Sequence, residues 1–111
     1  MDINLDKIIN VNRIFGGTLK DKNAIEFAIE EANKQKNVYK KLSYLIRSLT
    51  SDHAFWDGNK RTAITIILDS FSENNIKYDP NRLVNTIISL AETGEGNLNK
   101  IEERLRKCSR K

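Results

Sequence analysis

Apolar residues recur three and four positions apart along this chain, in runs broken by polar turns. That spacing predicts helices rather than strands. Residues 3 to 15 read as the first helix, with Ile3, Leu5, Ile8, Ile9, Val11, Ile14 and Phe15 apolar, and Gly16-Gly17 stops it. Asp21 is placed to cap a second helix from about Lys22 to Asn33, burying Ile25, Ala28, Ile29 and Ala32. A short polar and basic stretch, Asn33 to Asn37, leads to a third helix carrying Val38, Leu42, Leu45, Ile46 and Leu49 on one face. Ala63, Ile64, Ile66, Ile67, Leu68 and Phe71 give a fourth a denser apolar side. Asn74-Asn75 closes it, and Ile76 to Tyr78 is a brief extended segment. Asp79-Pro80, a cap followed by proline in the first turn, starts a fifth helix. Val84, Ile87, Ile88 and Ala91 are its expected buried face until Gly94 and Gly96 end it. Asn97 caps a sixth, with Leu98, Ile101 and Leu105 inward. The pattern predicts an all-α fold of about six helices, a single domain over residues 1–111 with no internal repeat or low-complexity linker.

Composition narrows the class. A chain of 111 residues can bury about two thirds of its unfolded surface. Its 31% charged and 39% apolar residues are ordinary for a globular protein. No apolar run is long enough to span a bilayer, and MDINLDK lacks a signal-peptide pattern, so no membrane association is expected. A single cysteine, Cys108, excludes an internal disulfide framework and fits a reducing cytoplasm. Near the frayed end of the last helix it is expected to be inert. The net charge of +4 favours an acidic partner or nucleotide phosphates. It falls short of a dense basic stripe, so direct nucleic-acid binding is not expected. Lys34, Lys36, Lys40 and Lys41 read as a solvated face, and the tail residues Arg104, Arg106, Lys107, Arg110 and Lys111 as complements of a helix C-terminus.

The chemistry gathers between Ser51 and Ile64, SDHAFWDGNKRTAI, which holds the only histidine and the only tryptophan. His53 falls near the end of the third helix. Asn59 stands where an N-cap should stand for the fourth. The amides of Lys60, Arg61 and Thr62 would then be unpaired donors at a helix N-terminus, an anion site to which Lys60 and Arg61 add charge. Gly58 supplies a turn with no side chain in the way. Asp57 puts a carboxylate beside that site, the arrangement by which proteins hold Mg²⁺ with few ligands and retained water. With Asn59 only six residues beyond His53, the imidazole lies within reach of a bound phosphate and suits a general base acting on a hydroxyl. Together these are the parts that phosphoryl transfer requires. Phe55 reads as a core wedge that fixes the loop. Trp56 either stands exposed beside the site or packs; the sequence does not choose.

HAFWDGNKR resembles the Fic/Doc (Fido) signature H-x-F-x-[D/E]-G-N-[G/K]-R. Lys60 followed by Thr62-Ala63 is similar to the Doc, or death-on-curing, branch. Gly16-Gly17-Thr18-Leu19-Lys20-Asp21 and the Ala24 to Ile29 stretch resemble the upstream segment of Doc-like proteins, and Leu45 to Leu49 the helix leading into the signature. The resemblance covers roughly residues 14 to 95. It implies a compact helical transferase that uses ATP and Mg²⁺ to modify a hydroxyl side chain on another protein. In that reading His53 is the base and Asp57 holds the metal. Asn59, Lys60 and Arg61 grip the phosphates, with the Gly58 and Asn59 amides in the anion hole.

The two branches transfer different groups. Fic enzymes proper move the nucleotide monophosphate, and they carry Gly in place of Lys60 and a second Arg at the position of Ile64. The Doc branch is associated with phosphate transfer to a translation elongation factor. Both differences resemble Doc, whereas Gly58 matches the Fic consensus. Only about Asn33 to Val38 stands where Doc-like proteins have a longer hairpin flap. No [ST]-x-x-x-E-[GN] inhibitory segment is present, so a separate Phd-like antitoxin is the expected partner. The reading is therefore a Doc-like toxin-type phosphotransferase. A Fic-type nucleotidyl transferase is the alternative, and a non-catalytic anion- or partner-binding module a further one.

Overall fold

The computed structural model describes residues 3–110. Met1, Asp2 and Lys111, and with Lys111 part of the basic tail, lie outside the described residues. Among the described residues, six α-helices carry the fold: α1 (Leu5–Ile14), α2 (Lys22–Asn33), α3 (Val38–Ile46), α4 (Asn59–Glu73), α5 (Pro80–Thr93) and α6 (Leu98–Arg106). A π-helical turn, Arg47–Ser51, extends α3. The strands β1 (Lys77–Tyr78) and β2 (Ser109–Arg110) pair antiparallel.

Local chemistry explains most helix starts. The side chains of Asn4, Asp21, Asn37, Asp79 and Asn97 each accept a hydrogen bond from an amide in the first turn of α1, α2, α3, α5 and α6. Pro80 fills the first turn of α5, where a missing N–H costs nothing. Gly94, left-handed at φ 63°, ends that helix.

The core runs through the middle of the chain. The α3 helix packs against both α2 and α6, and its π-helical extension touches α2, α4 and α5. Leu42, Leu45, Ile46 and Leu49 are buried there with Ile66, Ile67 and Phe71 of α4. Each such side chain taken from water is worth about 1.5–3 kcal/mol. The Phe71 ring meets Tyr39 edge-on at 6.1 Å and Tyr78 at 5.8 Å, tying α3, α4 and β1 together.

Four expectations are corrected. The buried face of α5 is Leu83, Thr86, Ile87 and Leu90, while Val84 and Ile88 are exposed and Ala91 is half-buried. That face is one residue out of register with the expected one, because α4, α6 and the π-helical turn select it. Ile14, at the end of α1, is 79% exposed and joins no core. Lys40 is half-buried rather than solvated: it bonds Asn99 Oδ1 at 2.8 Å and pairs with Glu102 at 3.5 Å across the α3–α6 contact. Cys108 is not at a frayed end. It is buried, its carbonyl accepts the Asp79 N–H at 2.9 Å, and its Sγ lies 3.4 Å from Thr86 Oγ1.

Candidate functional site

The loop between the π-helical turn and α4 is built on buried backbone. At its entry, Asp52 N–H reaches back five residues to the Arg47 carbonyl, and Ala54 N–H donates to the Ser48 carbonyl at 3.1 Å. His53 sits between them in the left-handed region, φ 51°, with its side chain exposed. Such a φ is uncommon for a residue other than glycine, and His is among those that adopt it most often. The expected position of His53 at a helix end is thus refined: it stands two residues past the last helical turn.

Ala54 and Phe55 then plunge inward. The Ala54 carbonyl accepts both the Lys20 and Asp21 amides at 2.9 Å, and Trp56 N–H donates to Thr18 at 3.0 Å. Leu19 and Phe55 form an antiparallel bridge. The segment joining α1 to α2 therefore forms the floor under the loop, with Phe55 as its wedge. Trp56 is 69% exposed, and the Lys20 ammonium lies 5.0 Å from the centre of its ring.

Asn59 does not cap α4. Gly58 is the capping residue, left-handed at φ 76°, and makes no side-chain cap. The Asn59 carboxamide turns back instead, accepting from Phe55 N–H at 3.1 Å and donating to the Phe55 carbonyl at 2.8 Å. Thr62 N–H bonds the Gly58 carbonyl at 2.9 Å, so it is not a free donor either. The amides of Asn59, Lys60 and Arg61 have no hydrogen-bond partner among the described residues. They make the open helix N-terminus, one residue earlier than the sequence suggests. Asp57 Oδ1 accepts the Gly58 N–H at 2.7 Å.

His53, Asp57, Gly58, Asn59, Lys60 and Arg61 all line one cleft of about 500 Å³. Lys60 and Arg61 are exposed, and neither meets a carboxylate among the described residues. Two cations beside three open amides favour an anion in that cleft. Phe15, which ends α1, and Ala91 and Glu92 of α5 also line it. These three lie far from the loop in sequence, and only tertiary packing brings them in, so no local signal could have found them. No cluster of three or more His, Cys, Asp or Glu gathers among the described residues. A caged metal has no ligand set here. A lone exposed Asp57 carboxylate, with one oxygen on Gly58, does fit an ion that keeps its water and shares phosphate oxygens. No helix among the described residues is long and apolar enough to cross a membrane.

A profile of the Fic/DOC family matches residues 5–69, more than half of the chain. The match takes in α1, α2, α3, the loop and most of α4. It begins and ends earlier than the stretch over which the sequence resembles the family. No curated protein matches the chain. Domains of this family generally belong to transferases that move a nucleotide or a phosphate onto proteins. By that match, the chain belongs to the Fic/DOC family.

Proposed function

We propose that the chain is a Doc-like phosphotransferase, which takes the γ-phosphate of ATP and places it on a hydroxyl side chain of a protein. A translation elongation factor is the candidate target, the cytoplasm the compartment, and a separate Phd-like antitoxin the restraining partner. The observation that carries the reading is Lys60. It lines the cleft beside the open α4 amides, where a nucleotidyl transferase of this family would have glycine.

In this mechanism the Asn59, Lys60 and Arg61 amides hold phosphate oxygens, and the Lys60 and Arg61 side chains offset their charge. His53 takes the proton of the target hydroxyl as its oxygen bonds to the γ-phosphorus. The bond from that phosphorus to the bridging oxygen breaks, and ADP leaves. Asp57 would hold Mg²⁺, which when bound neutralises charge on the phosphates. The Lys60 side chain fills part of the cradle, so the triphosphate presents its γ end to His53.

Gly58 supports a second reading, AMP transfer of the Fic type, because it matches that branch. ATP labelled at the α or the γ position separates the two. Label from γ alone on the target supports phosphate transfer, and label from α overturns it in favour of AMP transfer. If neither appears while ATP still shifts the Asn59–Arg61 amides, the chain is a non-catalytic binding module.

A further inference from the structure

Asn12 is the side chain whose burial the fold alone does not account for. It lies on α1, is fully buried, and belongs to no part of the signature loop. Its Nδ2 donates twice: to the Asp57 carbonyl at 2.9 Å and to Thr62 Oγ1 at 3.1 Å. Its Oδ1 is buried with no partner among the described residues. A position chosen for packing would hold an apolar side chain of similar size and leave no acceptor unpaired.

We infer that Asn12 is a positioning residue that sets the Asp57–Gly58 peptide plane, and through it the floor of the anion cradle. The inference rests on reading the α4 N-terminus as a phosphate site. All peptide bonds described are trans, so a carbonyl and the following N–H point to opposite sides. Asn12 draws the Asp57 carbonyl inward. The Gly58 N–H must then face away from Asn12, where Asp57 Oδ1 accepts it. A flipped peptide would turn that N–H against the Nδ2 donor. A flipped carboxamide would set Oδ1 against the Asp57 carbonyl. The Thr62 hydroxyl occupies the other amide hydrogen, which stops the carboxamide rotating.

Space is tight enough to keep this arrangement. A Cβ on Gly17 would strike both Asn12 Oδ1 and the Asp57 carbonyl. A Cβ on Gly58 would stand 3.1 Å from Asn12 Nδ2. Two glycines therefore close around one carboxamide, and the peptide between Asp57 and the helix has one orientation open to it.

The test compares isotope-labelled wild type with Asn12→Leu, titrated with pyrophosphate and followed at the amides of residues 58–61. Asn12→Leu should keep its helical spectrum, bind pyrophosphate about tenfold more weakly through loss of one bond to the cradle, and lose the wild-type Gly58 resonance position. A folded variant with an unmoved Gly58 resonance, or with unchanged affinity, overturns the inference. If wild type does not bind pyrophosphate, the phosphate reading fails, and Gly58 alone decides: a moved resonance upholds the positioning role, an unmoved one removes it. If Asn12→Leu does not fold, wild type still answers through the coupling across the Asn12 Nδ2 to Asp57 carbonyl bond. That coupling should be present, and its absence overturns the inference.

Discussion

The Asn59 carboxamide and the Phe55 backbone bond each other twice, at 3.1 and 2.8 Å, closing the signature loop from Phe55 to Asn59 into a ring. Asn59 thus acts as a clip, and a clip and a cap differ in what they tolerate. At an N-cap, Asp serves as well as Asn. As a clip, Asp loses the donated bond and sets an oxygen against the Phe55 carbonyl. Asn59→Asp should therefore destabilise the fold by about 1–3 kcal/mol, read from urea unfolding. A variant as stable as wild type would restore the cap reading.

His53→Asn should lower transfer by about 10²–10⁴-fold, the usual loss of a general base. Asn tolerates the left-handed φ of 51°, and the side chain is exposed, so thermal stability should stay within about 0.5 kcal/mol of wild type. Activity close to wild type would move the base elsewhere.

Gly58→Ala should cost about 1–2 kcal/mol from the left-handed backbone. The new Cβ would also meet Asn12 Nδ2 at 3.1 Å and Phe15 Cβ at 3.2 Å. Calorimetry reads the loss. A melting temperature equal to wild type would show that α1 yields more easily than its packing suggests.

Lys60→Gly combined with Ile64→Arg should shift the adduct on the target from phosphate to AMP, because bulk leaves the cradle and the second Arg of the Fic branch is supplied. Ile64 is half-buried, so the double variant must first be shown to be folded. Intact mass of the target distinguishes the products. A phosphate adduct from the double variant would mean that Lys60 does not select the transferred group.

Six helices were legible because each has apolar positions at helical spacing, and three of the starts carry a cap that the structure retains: Asp21, Asp79 and Asn97. The loop's residue types were legible too, and all six candidates face one cleft. What local pattern misled was the role of Asn59. An Asn before a polar turn and an apolar run looks like a cap whether its oxygen turns forward to the helix or back to Phe55. The register of α5 was ambiguous for a related reason. Leu83, Val84, Ile87, Ile88, Leu90 and Ala91 allow two overlapping apolar stripes, and only the neighbouring helices choose between them. Asn12 and the β2 strand were not legible, because their partners lie 45 and about 30 residues away.

The pairing of β1 with β2 has a practical consequence through Cys108. The chain's one thiol immediately precedes β2, is 1% exposed and packs on Thr86 of α5. A thiol-reactive dye can reach it only when this corner of β2, α5 and α6 loosens, so labelling kinetics report how often the corner opens. Slow labelling that tracks global unfolding would place the β1–β2 pair in the same cooperative unit as the core, whereas faster labelling would mark it as a separately opening segment. The protein thereby carries its own probe of local opening, at a position that does not line the phosphate cleft and with no residue of that cleft altered.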